Sequence, residues 1–233
     1  ERRSMRQHMI TDANIKKLSE ISHYLFITGT GGLGKSMMMR HLMLNAIDNY
    51  NEFGFIPIFI PLKEFDETSC NLLSYVLQKI FDFKCDITQS VLEDALSAGR
   101  CLLLFDGLDE IALDSIDRFE QEINSFTDKY PLNQFVISSR PFQAFVSYQK
   151  FSILRILPFD TRQALQLIDN LDFCPDDPSI KEKFRKELST KLYRSHRPFT
   201  ENPLLLTIML MTFEMYAEVP SQMHLFYREA FNV

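Results

Sequence analysis

The sequence predicts an α/β fold, in which a parallel sheet is covered by helices on both faces and is followed by a smaller helical domain. Short apolar runs alternate with segments of helical spacing as far as Pro158, which is typical of parallel sheets. A glycine-rich loop joins the first apolar run to the first helical segment. Between Thr161 and Ala217 the periodic segments are helical only, so we place a domain boundary near residue 159.

Five apolar runs are the candidate strands. They are HYLFIT (23–28), FGFIPIFIPL (53–62), CLLLFD (101–106), QFVISS (134–139) and FSILRIL (151–157). The second run is apolar at both odd and even positions, which predicts a strand that is buried on both faces.

Segments of helical spacing predict the helices between these strands. The first helix follows the glycine-rich loop and extends to about Asn49, and the others are NLLSYVLQKIF, ITQSVLEDALSAG and DSIDRFEQEINSFTDKY. Gly99, which ends the third helix, is expected to cap its C-terminus. After Pro158, helix breaks are expected at FCPDDP and SHRPFTENP. The chain is thus divided into a flanking segment 1–22, an α/β domain 23–158 and a helical domain 159–218.

The composition is that of a globular protein, with 45% hydrophobic and 24% charged residues among 233. The net charge of −6 argues against nucleic acid as a main partner, because broad electrostatic capture needs a basic face. No apolar run reaches the ~18 residues of a membrane span. The N-terminal sequence ERRSMRQHMI lacks the apolar stretch of a secretory signal. We therefore expect a cytoplasmic protein without a membrane partner.

The four cysteines form no CxxC pair and have no histidine nearby at the spacing of metal ligands. They are Cys70, Cys85, Cys101 and Cys174. Neither a zinc site nor a disulfide framework is predicted, and reduced thiols are expected. Because the chain begins with Glu1 and stops at REAFNV, we expect it to be a piece of a longer protein.

The loop GTGGLGKS matches the phosphate-binding pattern G-x-x-x-x-G-K-[ST]. Its glycines allow backbone N–H groups to turn inward around phosphates, and the helix that begins near Gly34 directs the positive end of its dipole toward them. We expect Lys35 to reach the β- and γ-phosphates and Ser36 to present its hydroxyl to Mg²⁺. The predicted nucleotide contacts in this segment are Gly29, Thr30, Gly31, Gly32, Leu33, Gly34, Lys35, Ser36 and Met37.

The alternative for this loop is a glycine-rich turn with a chance lysine. The apolar strand before the loop and the helix after it favour phosphate binding, because the mechanism requires that context. The methionines that follow are expected to be adaptable core residues rather than part of a cofactor site. They are Met37, Met38, Met39 and Met43.

The third apolar run ends in acidic residues, within CLLLFDGLDE. Ligands of parallel sheets bind at the carboxyl ends of the strands, so Asp106 is expected beside the same cleft as the loop, as a partner of Mg²⁺ mostly through water. One carboxylate suffices for the metal, which leaves another to orient and polarise an attacking water. Glu110 is the first choice for that catalytic role and Asp109 the second. Alternatively, both cap the next helix, near IALDS.

The fourth apolar run ends in ISSRP, which places Arg140 at another strand end. A guanidinium at this position can contact the γ-phosphate through two hydrogen bonds and so respond to its presence. We predict this role for Arg140 and count it with the catalytic residues. The alternative, on this residue alone, is an ordinary surface arginine.

Taken together, these motifs resemble those of NACHT-type NTPases of the STAND class. The segments GTGGLGKS, LLLFDGLDE, FVISSRP, ILPFD and NPLLLTIM occur in the order and spacing of that family, over residues 23 to 218. DGLDE is the discriminating segment. Plant-type NB-ARC relatives tend to carry two adjacent aspartates at the strand end, and AAA+ motors usually show D-E without the intervening G-L.

The resemblance implies a P-loop NTPase three-layer sandwich with a five-stranded parallel sheet in the order 2-3-4-1-5, and with Asp106 and Arg140 beside the loop. It also implies that the helical segment folds over the nucleotide and that Pro203 packs against the adenine. From the residues alone, Asn202 and Pro203 mark a helix start. Residues 219–233 resemble the truncated beginning of a winged-helix-like domain.

The resemblance further implies a molecular switch that binds ATP or ADP with Mg²⁺ and hydrolyses ATP slowly. Such proteins self-associate through the NTPase domain on activation, with effector and sensor domains that would lie outside this fragment. They act in signalling and innate immunity, and bacterial members act in antiphage defence.

Two other functions stay open on the sequence. One is a nucleotide-stabilised scaffold that does not hydrolyse ATP. The other is a motor ATPase that handles nucleic acid, supported by KEKFRKELSTKLYRSHR (181–197) with its seven basic and two acidic residues. Because these charges are spread around the helix and few aromatics are interleaved, a solvated helix face is the favoured interpretation. A small-molecule kinase has the least support, since no acceptor-binding lid is evident.

Overall fold

The computed structural model describes residues 9–66, 71–141, 148–174 and 177–216, with side chains as far as Phe213. Its strands are β1 (Tyr24–Thr28), β2 (Ile56–Pro61), β3 (Cys101–Asp106), β4 (Gln134–Ser139) and β5 (Ser152–Arg155). They form one parallel five-stranded sheet in the order β2-β3-β4-β1-β5. The predicted α/β class and the implied strand order are confirmed.

The helices follow the strands in the alternation that the sequence predicts. Those that precede or separate the strands are α1 (Ile15–Ser19), α2 (Lys35–Asp48), α3 (Tyr50–Phe53), α4 (Leu72–Asp82), α5 (Gln89–Ser97) and α6 (Ile116–Lys129). The later ones are α7 (Thr161–Asn170), α8 (Pro178–Glu187), α9 (Tyr193–Ser195), α10 (Arg197–Thr200) and α11 (Pro203–Tyr216). A π-helical turn at Leu188–Leu192 connects α8 to α9.

The chain divides into two compact units. The first unit runs to Thr28 and resumes over Lys35–Arg155, so it contains the whole sheet. The second contains Gly29–Gly34, which we call the glycine loop, together with the helices that follow Ile156. The loop thus belongs to the same compact unit as α7 to α11.

The central strands are buried and the edge strand β2 is not. Every residue of β4 is buried, whereas in β2 only Ile60 is, and Ile56 is 41% exposed. Helices α2 and α4 both pack against β2, but most of its residues are only half-buried, so the burial that we expect on both faces is partial. Position at the sheet edge explains the difference, and it also explains why Pro57 and Pro61 are tolerated there, since an edge strand has fewer hydrogen bonds to make.

Aromatic rings hold α6 against the sheet in the first unit. Phe119 of α6 packs edge to face against Phe65 and Phe105, with ring centroids 5.4 and 5.9 Å apart. Pairs of this kind add ~0.5–1.5 kcal/mol each beyond the burial itself. Because Phe105 directly precedes Asp106, this packing fixes the end of β3.

A second, smaller core lies among the later helices. Phe184 of α8 packs edge to face against Phe213 of α11, with centroids 5.3 Å apart. Asp160 and Gln163 form a capping box at the start of α7. Helix α11 begins at Pro203, which is the helix start that the sequence predicts.

Local signals in the sequence account for several element ends. Gly99 follows α5 with φ of +67°, and its N–H donates to the Leu96 carbonyl at 3.1 Å, which confirms the expected C-cap.

Met39 is fully buried, as expected, but Met37 is 65% exposed and so is not a core residue. The difference arises because Met37 lies on the solvent side of α2, two positions from Met39.

Three of the predicted thiols can be checked. Cys85, Cys101 and Cys174 are not joined in disulfides, while Cys70 lies outside the described residues. Residues 1–8 of the flanking segment and the segment 219–233 also lie outside them. In the described part of the chain, we find no helix that combines the length and apolar character needed to cross a membrane.

Candidate functional site

The carboxylate of Asp106 is held by a serine on the neighbouring strand. Ser138 Oγ donates a hydrogen bond to Asp106 Oδ1 and accepts one from the N–H of Gly107 at 3.0 Å. The parallel register, which pairs Phe105 with Ile137, brings the next residue of each strand side by side. Ser138 is 1% exposed, so its hydrogen bond from Gly107 is buried and that to Asp106 is partly buried. The orientation of Asp106 is therefore set by the fold itself.

Asp109 and Arg140 are joined by two contacts. Asp109 Oδ2 lies 3.0 Å from Arg140 Nε, and Asp109 Oδ1 accepts the backbone N–H of Arg140 at 2.9 Å. The Arg140 side chain is 65% exposed, so solvent screening keeps the contribution of this pair to stability small. Its effect is geometric, because it ties the turn after β3 to the end of β4.

Glu110 folds over a tight turn at Gly107. Gly107 has φ of +86°, and a Cβ added there would lie 3.2 Å from Glu110 Cδ, so a glycine suits this position. Among the described residues, the Glu110 carboxylate has no hydrogen bond or ion pair. The next long helix, α6, begins at Ile116 without a side-chain cap, so the alternative that Asp109 or Glu110 caps it is wrong.

Lys35 begins α2 and is partly buried. Burial lowers the pKa of its ammonium group. The negative charge of Asp109 raises this pKa, and the positive charge of Arg140 lowers it. Asp106 and Glu110 also raise it, with smaller effects. The structure therefore brings five of the predicted site residues into one electrostatic neighbourhood, within the unit that contains the sheet.

The glycine loop has the backbone conformations that its glycines permit. Gly32 and Gly34 have φ of +79° and +90°, a region that residues with a side chain rarely adopt. Asn202 Nδ2 donates to the carbonyl of Gly31 at 2.8 Å. Within the second unit, the loop is thus joined to the start of α11.

The remaining predicted contacts lie along two helices. Ser36 and Met37 follow Lys35 in the first turn of α2, and both are exposed. Pro203 begins α11, in the same compact unit as the glycine loop. Thr30 and Leu33 are loop residues, with the N–H of Leu33 donating weakly to the Thr30 carbonyl at 3.5 Å.

The donor set of Ser36 and Asp106 fits Mg²⁺. Both offer hard oxygen atoms, and Mg²⁺ usually keeps several waters and uses one or two carboxylates rather than a cage built by the protein. No group of three or more His, Cys, Asp or Glu residues able to hold a metal occurs in the part of the chain that the structure describes.

Two residues, one in each unit, bond to predicted site residues of their own unit but were not predicted as site residues themselves. Ser138 lies in the predicted strand QFVISS, two positions before Arg140, and a polar residue at the end of a buried strand is the signal that could have identified it. Asn202 was expected only as part of a helix start. Its bond to Gly31 joins residues 171 positions apart, and no local pattern reports such a contact.

Ser138 and Ser139 offer a matched test of the first of these contacts. We expect Ser138→Ala to lower the free energy of unfolding by ~1–3 kcal/mol, because the buried N–H of Gly107 loses its acceptor. Ser139 is also buried, but its hydroxyl has no partner among the described residues, so Ser139→Ala is expected to change stability by less than ~0.5 kcal/mol. Urea unfolding measures both values. Equal losses in the two variants would contradict the bridging role of Ser138.

A parallel sheet in this strand order, with a loop of the pattern G-x-x-x-x-G-K-[ST] between its first strand and the next helix, defines the class of P-loop NTPases. The sequence model of the NACHT domain matches residues 23–167. This chain therefore belongs to the NACHT domain family, as the motifs suggested.

Three solved structures are similar to this chain at low sequence identity. PCH-2 of C. elegans is 12% identical over 93% of this chain and 63% of its own, with a TM-score of 0.48. Domain III of the Thermotoga maritima replication initiation protein DnaA is 13% identical over 88% and 83%, with a TM-score of 0.46. AMPPCP-bound DnaA from Aquifex aeolicus is 14% identical over 89% and 63%, with a TM-score of 0.45. No curated protein matches this chain.

Proposed function

We propose that this chain binds ATP and ADP and hydrolyses ATP slowly, as the nucleotide-dependent switch of a longer protein. Membership of the NACHT domain family supports nucleotide binding. The observation that carries the proposal is the charged neighbourhood of Lys35, on which the charges of Asp109, Arg140, Asp106 and Glu110 all act. An ammonium group under the influence of carboxylates at and just after a strand end is suited to a phosphate chain bound with a cation.

The residues would divide the chemistry as follows. The N–H groups of the glycine loop and the ammonium of Lys35 would bind the phosphates, and Pro203 would contact the adenine. Ser36 and Asp106 would hold Mg²⁺, with Ser138 fixing the carboxylate. When bound, the metal would neutralise charge that develops on the phosphate oxygens.

Glu110 is the better candidate for the residue that polarises water. The carboxylate of Asp109 is engaged by Arg140 through both oxygens, whereas that of Glu110 has no such partner in the described residues. A carboxylate that is not already neutralised by a cation can accept a proton from water more readily. We therefore assign Glu110 as general base, and Asp109 as the residue that orients Arg140 for contact with the γ-phosphate.

The switch itself would depend on how the second unit responds to nucleotide. The glycine loop belongs to the same compact unit as α7 to α11, so a change in the loop on exchange of ADP for ATP would reach those helices directly. We propose that this change permits self-association and activates effector domains elsewhere in the longer protein. A role in signalling or innate immunity, antiphage defence included, follows from the family resemblance.

The nucleotide that copurifies with the full-length protein tests the proposal. Mass analysis is expected to find tightly held ADP, and light scattering is expected to show a larger assembly with AMPPCP than with ADP. A chain that carries no nucleotide and binds none would contradict the proposal. Binding without any hydrolysis would instead support a nucleotide-stabilised scaffold.

Contacts within the second unit weaken the support that the basic segment 181–197 gives to a motor function. Three of its seven basic residues bond to neighbours within the second unit. Lys181 donates to the carbonyl of Leu171, Arg185 pairs with Asp169, and Arg197 pairs with Glu201. These three cations already make hydrogen bonds or ion pairs within the second unit. ATPase activity stimulated by nucleic acid, with strong salt dependence, would overturn this conclusion.

A further inference from the structure

Asn202 makes hydrogen bonds in two directions. Its Oδ1 accepts the N–H groups of Leu204 and Leu205 at 3.1 and 3.2 Å, which caps the N-terminus of α11. Its Nδ2 donates to the carbonyl of Gly31 at 2.8 Å. One amide side chain therefore joins a helix end to the glycine loop, and all of these atoms belong to the second unit.

The bond to Gly31 fixes the orientation of a peptide plane in the loop. The carbonyl of Gly31 and the N–H of Gly32 belong to the same trans peptide and point in opposite directions. Because Asn202 holds the carbonyl, the N–H of Gly32 is directed away from α11. A loop that binds anions needs its N–H groups turned together toward the ligand, with the carbonyls facing outward.

The approach of Asn202 to the loop depends on the glycine at position 32. A Cβ at Gly32 would lie 2.5 Å from Asn202 Oδ1 and 3.1 Å from the Cβ of Leu204. Gly32 also has φ of +79°. The missing side chain thus serves the contact with the helix end as well as the conformation of the loop.

We propose that Asn202 is a positioning residue, which sets the glycine loop for phosphate binding and couples nucleotide occupancy to the start of α11. The inference rests on the proposed function, because it assumes that the loop binds phosphate. Asn202 acts through the backbone of Gly31. By reciprocity, nucleotide that is favoured by the ordered loop stabilises the capped helix end by the same free energy.

The test separates the two directions of hydrogen bonding. Serine is nearly as good as asparagine at capping a helix, but its hydroxyl is too short to cap α11 and reach Gly31 together. In the full chain, Asn202→Ser is expected to raise the Kd for ATP by ~10-fold, since one hydrogen bond that orders the loop is lost. The melting temperature without nucleotide is expected to fall little, because the cap is kept and the lost hydrogen bond to Gly31 is exposed.

A second variant and a control accompany this one. Asn202→Asp keeps the cap acceptor, has no donor and adds a negative charge, so it is expected to raise the Kd for ATP further. Asn14→Ser is the matched control, because Asn14 caps α1 by accepting the N–H of Lys17 at 3.0 Å and takes no part in the loop. It is expected to leave the Kd for ATP unchanged.

Hydrogen exchange measures the coupling between ATP binding and the start of α11. ATP is expected to slow exchange at the amides of Leu204 and Leu205 in the unaltered chain, and to slow it less in Asn202→Ser. Wild-type ATP affinity in both Asn202 variants would overturn the inference. A large fall in the melting temperature of the nucleotide-free variants would also overturn the inference. Loss of stability would then explain the loss of binding, and Asn202 would be a helix cap and nothing more.

Failure of the proposed function gives a different result from failure of the role of Asn202. If Lys35→Ala binds ATP like the unaltered chain, the phosphate site itself is wrong. If Lys35→Ala loses ATP while both Asn202 variants keep it, only the role of Asn202 is wrong.

Discussion

Replacing Lys35 with alanine is expected to abolish measurable ATP binding. Charge-assisted hydrogen bonds contribute ~1.5–3 kcal/mol each, so losing those from one ammonium to two phosphates predicts a Kd at least ~100-fold higher. The electrostatic neighbourhood strengthens this effect. Without Lys35, three carboxylates would face the phosphates with only Arg140 to offset them.

Isothermal titration calorimetry with ATP and Mg²⁺ measures this loss. Lys183→Ala is the matched control, because Lys183 is an exposed lysine on α8, outside the candidate site. It is expected to bind ATP as the unaltered chain does. Retained affinity in Lys35→Ala would mean that the glycine loop is a turn and not a phosphate site.

Replacing Glu110 with glutamine is expected to stop hydrolysis while leaving ATP binding within ~3-fold of the unaltered chain, since glutamine has the size of glutamate and position 110 lies outside the phosphate loop. Glutamine cannot accept a proton from water. Loss of a general base typically lowers the rate by about two to four orders of magnitude. The new side chain has the same shape, so it can still lie over Gly107. Release of phosphate in a single turnover gives the rate.

Asp109→Asn is the informative comparison for this variant. It keeps the shape but weakens the hold on Arg140, so we expect a smaller loss of rate than with Glu110→Gln. If Glu110→Gln is as active as the unaltered chain and Asp109→Asn is not, the two roles are exchanged. If the unaltered chain itself shows no hydrolysis above background, the enzyme proposal is wrong and the scaffold replaces it.

Burial decided how well the strands could be predicted. The strands CLLLFD and QFVISS have the bounds that the sequence predicts, because they are central strands and their predicted runs coincide with the hydrogen-bonded segments. The predicted runs 53–62 and 151–157 are longer than the edge strands β2 and β5. At an edge, apolar residues extend beyond the hydrogen-bonded strand, so composition overstates its length.

The candidate site also has residues that the sequence predicts and contacts that it does not predict. The loop motif and the acidic strand end placed Lys35, Asp106 and Glu110 on candidate elements, since each follows from spacing within a few residues. The pairing of Asp109 with Arg140 could not be predicted in that way. It depends on β3 and β4 being neighbours, which brings together residues 31 positions apart.

The sequence by itself determined the α/β class, the glycine loop with its lysine, and the carboxylates at the end of the third strand. These depend on hydropathy and local spacing, which the chain carries wherever it folds. Only the tertiary structure decided that Ser138 holds Asp106, that Arg140 is engaged by Asp109, and that Asn202 holds the loop. The physical reason is that hydrogen bonds between distant segments depend on strand order and helix packing, and no periodicity in the sequence records either.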